Sequence, residues 1–414
     1  MKIAIVGGGS AGLCAAIAAA GKNANVTVFE RNDKVGKKIL VTGNGKCNLS
    51  NTDLSSGYYY SKDREFIDRA FLRFGLNETC AFFNGLGLLL TEKRGGIYPH
   101  SEQASAVLDA LRFEALTLGV NIKEGCFVKD IEKDERKPGR YKVIYDTSKE
   151  ETVKTLSDSF DRVIITTGGK AAPKTGSDGN GVKLAQRLGE KCSKLYPALG
   201  GVKCEGDFWK SISGVRCYAA FKIIGDTTGE GQSVGELQLT DYGISGIPVF
   251  GISRLIAEEV DKKGKSEIEI DLFADLDEET LLRELSSRIL ILNDRTYEQI
   301  LNGFLNKKLS IFVLKTCNLK PSDIAVGDLD TLKKIVNKVK HLRVIATGVN
   351  GFDQAQTTAG GILLSEINDD FESIKNPGIY YAGEILDVDG ICGGYNLQWA
   401  WSSGHIAGEA AAKC

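Results

Sequence analysis

The sequence predicts an α/β protein, a Rossmann-like dinucleotide-binding domain interrupted by an inserted α+β domain. Three observations predict it. A strand, a glycine-rich turn, a helix and a second strand follow one another at the N-terminus. Two further strand–glycine junctions lie far downstream, at Thr166-Thr167-Gly168-Gly169 and Ala382-Gly383-Glu384. Between them, over about 192–345, the texture changes to short strands and then to Leu-, Lys- and Glu-rich helical spacing.

Residues 2–6 (Lys-Ile-Ala-Ile-Val) are an apolar run of the buried-strand type. Gly7-x-Gly9-x-x-Gly12 follows and opens an Ala-rich helix over Ser10–Ala20. Residues 25–30 (Asn-Val-Thr-Val-Phe-Glu) read as the second strand, and such β-turn-α-β units build parallel sheets. The first glycine permits the tight turn, the second lets backbone approach a pyrophosphate, and the third allows close helix–strand packing. Ser10 and Ala11 present unpaired N–H groups at the positive end of the helix dipole. Glu30, at the end of the second strand, is placed to accept hydrogen bonds from both hydroxyls of a ribose.

Residues 33–60 are rich in Gly, Asn and Lys and read as an ordered loop. Helical spacing returns over 63–75, 77–86 and 102–118, and the alternation over 120–146, broken by Pro138-Gly139, predicts a small β-meander. Residues 162–167 form another buried strand ended by Gly168-Gly169. Within the insert, 196–240 reads as several short strands and 277–341 as helical. Strand character returns at 378–383, and a last helix is expected from about Asn396 to Lys413. The resulting division is a discontinuous nucleotide domain, 1–191 and 346–414, around an insert, 192–345.

The composition excludes several classes. With 52 basic and 54 acidic residues the formal charge is −2, which calls for neither nucleic acid nor an anionic membrane. The 48 glycines in 414 residues exceed the ~7% of an average chain and are clustered without a repeat, as where backbone approaches a ligand. None of the 10 cysteines forms a C-x-x-C or C-x-x-x-x-C pair. That disfavours zinc ribbons and flavin-linked disulfide reductases, suits a reducing compartment and leaves no metal site to expect. Gly7-Gly8-Gly9 interrupts the N-terminal apolar run where a signal peptide would be continuous, and no stretch approaches the ~18 apolar residues of a membrane span. The expected location is the cytoplasm.

The fingerprint alone fits FAD or NAD. A single fingerprint at the N-terminus, with two more strand–glycine junctions downstream, favours FAD, an extended dinucleotide touched by several distant segments. No Cys, His or Tyr stands in a context that demands attachment, so the FAD is expected to be non-covalent. The final helix begins directly after Gly393-Gly394, glycines that let backbone lie against a planar ring. Its first amides suit the negative charge that builds at the pyrimidine edge of a flavin accepting electrons.

A catalytic acid or base is harder to place. Of the three histidines, His341 follows a Lys-rich helix and reads as surface, and His405 lies mid-helix and reads as packing. His100, just after Gly95-Gly96-Ile97-Tyr98-Pro99, is a candidate for a pocket mouth, and Tyr98, Tyr395 and Arg94 are further candidates. Cys47 and Cys392 are more simply read as small buried thiols than as a redox pair. The basic stretch 329–343 carries Leu332, Ile335, Val336 and Val339 on one face and reads as a solvated amphipathic helix rather than an RNA contact.

The run Gly36-Lys37-Lys38-Ile39-Leu40-Val41-Thr42-Gly43-Asn44-Gly45-Lys46-Cys47-Asn48 resembles a bacterial flavoprotein family, the NAD(P)/FAD-dependent oxidoreductases. That family includes aminoacetone oxidase-like and bile-acid 3-dehydro-Δ4,6-reductase-like proteins. Thr175-Gly176-Ser177-Asp178-Gly179, Thr358-Ala359-Gly360-Gly361, Gly383 to Gly390 and Gly393 to Gln398 match it as well, so the resemblance spans essentially the whole chain. It implies a two-dinucleotide-type FAD fold with an inserted domain. Under it, Gly7 to Gly12 and Glu30 hold the ADP half, and Arg31 and Lys38 face the adenosine and pyrophosphate. Val128 meets the adenine through its backbone. Asn44, Gly45 and Asn48 lie near the flavin end, Gly383 and Glu384 at the ribityl and phosphate region, and Gly394 with Asn396, Leu397 and Gln398 at the pyrimidine side. Two positions depart from the family: Lys46 replaces a common Arg, and Asp241 stands where His is usual, which puts any borrowed substrate in doubt.

The function that follows is a FAD-dependent oxidoreductase acting on a small organic substrate between the FAD domain and the insert. The resemblance favours a reductase fed by NAD(P)H, which would bind transiently because the chain has no second nucleotide fingerprint. The alternatives are an O2-using flavin oxidase of small amines and a partner-dependent flavoprotein, such as a redox sensor or RNA-modification component. The near-neutral charge disfavours the RNA reading, and no membrane partner is expected.

Overall fold

The computed structural model describes residues 1–147 and 153–413; Cys414 lies outside them. The chain divides into two compact units, Met1–Tyr196 with Gln356–Cys414, and Pro197–Ala355.

The first unit is built on a five-stranded parallel sheet of β1 (Lys2–Val6), β2 (Asn25–Glu30), β3 (Asn121–Glu124), β4 (Arg162–Ile165) and β5 (Ile379–Tyr381), in the order β5-β4-β1-β2-β3. Central β1 pairs Ile5 with Val28 on one side and with Ile164 on the other. All three side chains are buried, which is why these strands read as continuous apolar runs rather than alternating ones. The expected meander is present as Cys126–Lys133, Tyr141–Thr147 and Lys154–Phe160, but its first predicted residues belong to β3 of the parallel sheet. Tyr145 and Phe160 from the meander pack on Phe29 of β2 at 4.8 and 5.8 Å.

Helix α1 (Ser10–Ala20) occupies the predicted span and is buried from Ala11 to Ala20. Its partner is the C-terminal helix, Tyr395–Ala411. A Cβ on Gly404 would lie 2.4 Å from the Ala11 carbonyl oxygen, and one on Gly408 2.4 Å from that of Ala15. Small residues spaced by four on both helices thus let the two backbones touch. The match of 404 to 11 and 408 to 15 makes the helices run in the same sense. The C-terminal helix begins nine residues before Gly404, so it projects by about 13 Å beyond that crossing point, at 1.5 Å per residue.

The second unit holds a closed barrel of six strands, Val202–Cys204, Arg216–Ile223, Gln232–Leu239, Gly243–Ser245, Ser266–Asp271 and Leu342–Val349. Helix Ile247–Lys263 follows the fourth strand, and four helices lie between the last two, at Glu278–Ile291, Tyr297–Leu301, Lys307–Thr316 and Leu329–Lys340. The sequence reading ended the insert at 345, inside the last barrel strand. That strand closes the barrel against Val202–Cys204 and Ser266–Ile270, so the boundary falls at Ala355 instead. The helix at 329–340 buries Leu332, Ile335, Val336 and Val339 as its periodicity requires. Among the described residues, no helix is long and apolar enough to cross a membrane.

Candidate functional site

The three fingerprint glycines answer to different constraints. Gly7 has φ +109°, and a Cβ there would lie 2.7 Å from the Thr166 carbonyl oxygen at the end of β4. A Cβ on Gly12 would lie 1.9 Å from the Gly7 carbonyl oxygen, so Gly12 is needed for the fold itself. Gly9 has extended backbone, and a Cβ on it would meet nothing within 4 Å. Neither the backbone nor any neighbour requires glycine at this position. It opens onto free space beside the first turn of α1, which no side chain caps, so the amides of Ser10 and Ala11 are available to an anion.

Glu30 lies within reach of this turn. Its Oε2 accepts the Gly8 N–H at 2.9 Å, and its Oε1 accepts the backbone and side-chain N–H groups of Asn32, each at 2.8 Å. Burial pushes its pKa up, and those N–H donors oppose the shift. The carboxylate is therefore fixed in orientation, as a ribose-binding group must be. Arg31 forms an ion pair with Asp178 at 2.5 Å and lies 4.9 Å over the Phe127 ring. Its charge is thus matched within the protein. The Val128 carbonyl accepts Asn180 Nδ2 at 3.4 Å, and the strand register slips between Val128 and Asp130.

Lys38 and Glu384, 346 positions apart, form an ion pair of 2.7 Å with side-chain exposures of 23% and 17%. Glu384 Oε1 also accepts the Thr358 N–H at 3.0 Å, while Thr358 Oγ1 accepts the N–H groups of Lys170 and Ala171 at 2.7 and 2.9 Å. This knot joins both strand–glycine junctions to the segment before Asn44, so the structure does bring those distant segments together. Gly383, with φ +82°, lies against α1, where a Cβ would be 2.9 Å from that of Ala11. The sequence reading quoted Thr358 within a motif but gave it no role; a threonine that ties two loops carries no spacing signal of its own.

At the other end, Gly394 takes φ +99° and caps the C-terminal helix without a side-chain hydrogen bond. A Cβ on it would lie 2.6 Å from the Ser50 carbonyl oxygen and 2.9 Å from Asn48 Oδ1. That Asn48 oxygen is buried and has no hydrogen-bond partner among the described residues. An orphaned acceptor beside an uncapped helix N-terminus fits a ligand carrying a donor there. Asn51, absent from the sequence candidates, donates to the Gly393 carbonyl at 3.0 Å and fixes the glycine pair. Asn44 and Gly45 are exposed, at φ +54° and +84°.

Several predicted groups are otherwise engaged. Gln398 does not face the ring site. It is fully buried, accepts from Ser50 Oγ at 2.6 Å, and donates to Thr79 Oγ1 and Ser402 Oγ at 2.8 and 2.9 Å. Its own N–H closes the first helical turn onto the Gly394 carbonyl. The amides of Asn396 and Leu397 remain for the site, but the Asn396 side chain clamps Gly390 through both its N–H and its carbonyl, at 2.9 and 2.7 Å. Tyr395 is a packing residue: it stacks on Tyr58 at 4.9 Å, its hydroxyl donates to the Asp53 carbonyl at 3.2 Å, and burial pushes its pKa up to about 12.

His100 is exposed, whereas Tyr98 is half-buried beside Asn48: a Cβ on Gly96 would meet the Tyr98 ring at 2.7 Å and the Asn48 amide at 3.0 Å. His341 bridges Glu269 and Glu278 at 3.2 and 2.7 Å in the second unit, and His405 stacks on Phe74 at 4.2 Å. Cys47 and Cys392 are thiols that burial pushes up to about 12, so neither is poised for redox exchange. No cluster of metal-ligating side chains occurs among the described residues.

An open Gly9, an oriented Glu30, an orphaned Asn48 and two uncapped helix N-termini fit an extended FAD. A family model, the HI0933-like protein Rossmann domain, matches residues 1–410. The chain is 36% identical to the 3-dehydro-bile acid delta(4,6)-reductase of Clostridium scindens, over 100% of this chain and 99% of that protein. It is 28% identical to the ribosomal RNA dihydrouridine synthase of Haemophilus influenzae, over 97% of this chain and 96% of that one. Among solved structures, the 3-ketosteroid delta1-dehydrogenase of Sterolibacterium denitrificans shares the fold, with a TM-score of 0.52 at 13% identity over 99% of each chain.

Proposed function

The chain belongs to the HI0933-like protein Rossmann domain family, and from that premise we propose that this FAD-dependent oxidoreductase is a reductase, fed by NAD(P)H, of an electron-poor carbon–carbon double bond in a small steroid-like acid. The observation that carries the reading is the end-to-end identity of 36% with a reductase of 3-dehydro-bile acids.

Bound FAD supplies the hydride transfer itself. The chain's own residues do the rest. Gly9 and the first turn of α1 receive the pyrophosphate, and Glu30 accepts from the ribose hydroxyls. Asn48 Oδ1 accepts from the ring end, and the Asn396 and Leu397 amides stabilise negative charge at the pyrimidine edge. Reducing a conjugated bond also requires a proton at the second carbon. We assign its delivery to Tyr98, the candidate whose half-buried ring, like the Asn48 amide, lies beside Gly96.

The test is anaerobic mixing of the holoenzyme with NADH or NADPH, following the ~450 nm flavin band. Bleaching is expected, with recovery on adding a 3-oxo-Δ4 bile acid. A band that neither nucleotide bleaches refutes the nicotinamide-fed version. The 28% identity to an rRNA dihydrouridine synthase supports the same bond chemistry on uridine as a second reading. A chain of net charge −2 lacks the cationic surplus that phosphate backbones select. Recovery of the band by unmodified rRNA but not by the bile acid would establish that reading instead.

A further inference from the structure

We infer that Arg94 is an anion anchor at the ring end of the site, positioned to take the carboxylate of the substrate. The inference rests on the proposed reduction of a small acid and names the group that recognises the acid.

Strands Leu90–Lys93 and Gly96–Pro99 pair with Lys93 opposite Gly96, which leaves a two-residue turn of Arg94 and Gly95. Both take positive φ, +51° and +82°, the pattern of a type I′ turn. Its first position favours Asn, Asp or Gly, because a longer side chain in the left-handed region presses its Cβ on the backbone. The turn is held from both sides: Glu92 Oε1 accepts the Gly95 N–H at 2.9 Å, and the Gly95 carbonyl accepts the Thr52 N–H at 2.7 Å. A guanidinium is thus held on an unfavourable backbone where Asn would fit better.

The place gives it a use. The hairpin lies on the loop that frames the ring site, with Gly96 against Asn48 and the next residues of that loop, through Asn51, tied to Gly393. Two other cations stand close by in sequence or space, Lys46 and Lys93, and both pair with Glu102. Arg94 is exposed and has no ion-pair partner among the described residues. A planar two-pronged donor without an acid of its own suits a carboxylate in bidentate fashion. The 2′-phosphate of NADPH offers similar chemistry, so the experiment separates the two.

Binding of a 3-oxo-Δ4 bile acid and of its methyl ester to the holoenzyme is measured by calorimetry for the parent protein, R94N and R94K, together with KM for NADH and NADPH. Asn suits the turn better than Arg, so R94N is expected to melt no lower than the parent. It should lose roughly three- to tenfold in affinity for the free acid, with the ester's affinity held and R94K intermediate. Equal losses for acid and ester, no loss for either, or a change confined to KM for NADPH would overturn the assignment. Binding needs no turnover: an Arg94-dependent acid preference without reduction of the bound enone would sink the reductase reading and leave the anchor standing.

Discussion

Gly9→Ala and Gly12→Ala should separate a glycine that serves the ligand from one that serves the fold. At Gly12 the added Cβ would lie 1.9 Å from the Gly7 carbonyl oxygen, against ~3.5 Å for an ordinary contact, so backbone must open by more than 1 Å. Overpacking of this kind costs about 1–3 kcal/mol or more, and a clash with backbone rather than a flexible side chain belongs at the upper end. At Gly9 the methyl meets nothing within 4 Å, on backbone at φ −85°, ψ −163° that any residue adopts. Ala gains about 0.4–1 kcal/mol by restricting the unfolded chain and gives back a similar amount as a poorer helix cap, so the apoprotein's stability should change by less than about 1 kcal/mol. FAD binding should respond the other way. A methyl there pushes the pyrophosphate off the helix amides, where charged hydrogen bonds are worth about 1.5–3 kcal/mol each, and a loss near 3 kcal/mol is roughly a hundredfold in Kd. Urea unfolding of the flavin-free variants, followed by circular dichroism, and FAD titration by fluorescence quenching read the two effects separately. Wild-type FAD affinity in Gly9→Ala, or wild-type stability in Gly12→Ala, would refute the division of roles.

Four further outcomes follow from the same structure. Gln398→Leu should cost about 2–4 kcal/mol in unfolding experiments, since it strands the Ser50 and Thr79 hydroxyls while Ser402 keeps the Phe74 carbonyl, and the bound-flavin spectrum should stay in place; a shifted spectrum with unchanged stability would return Gln398 to the ring. Tyr98→Phe should lower kcat for enone reduction roughly a hundredfold and leave bleaching by NAD(P)H unaltered, as stopped-flow traces would reveal. In the second unit, the Lys222 ammonium and His341 hold Glu269 down to about 2. Its contribution is therefore complete above about pH 4.5 and fades as pH falls toward 2. Glu278 and Glu269 raise His341 above its usual 6.5, so its contribution is complete below 6.5 and fades as pH rises through that raised value. The stability gap between the parent and His341→Ala, about 1 kcal/mol at this half-exposed histidine, should be larger at pH 6 than at pH 9 in paired melts, and a gap that grows with pH would contradict the bridge. Finally, Cys47 and Cys392, with thiols pushed up to about 12, should resist iodoacetamide at pH 8 in the native protein and react after unfolding, which peptide mass mapping reads directly.

Four of the five strands of the parallel sheet were legible because each is a local event, whereas the polar edge strand β3 was read into the meander. Ile3 to Val6, Val26 to Phe29 and Val163 to Ile165 are apolar on both faces, and a glycine ends β1 and follows β4 closely. The barrel was not legible. Its closure depends on Val202–Cys204 pairing with both Gly243–Ser245 and Leu342–Val349, and such long-range pairs leave no periodic mark. The cut at 345 therefore fell within a strand that looked, in isolation, like the start of the next domain.

At the site, the sequence located backbone better than side chains. Adjacency to Gly393-Gly394 brought Asn396, Leu397 and Gln398 to the ring as a group, yet successive helical side chains point about 100° apart. Gln398 and Ser402 are four residues apart and share an inward face, a period that was readable beforehand. Gly9 and Gly12 set the deeper limit. The same residue type stands at both positions of one motif, once because the Gly7 carbonyl leaves no room and once because the protein leaves the room empty. A sequence records only that glycine stands at both positions. Which of the two emptinesses belongs to a ligand is a property of the neighbours, and for Gly12 the nearest of these lie 5 and 154 residues away, in Gly7 and Thr166.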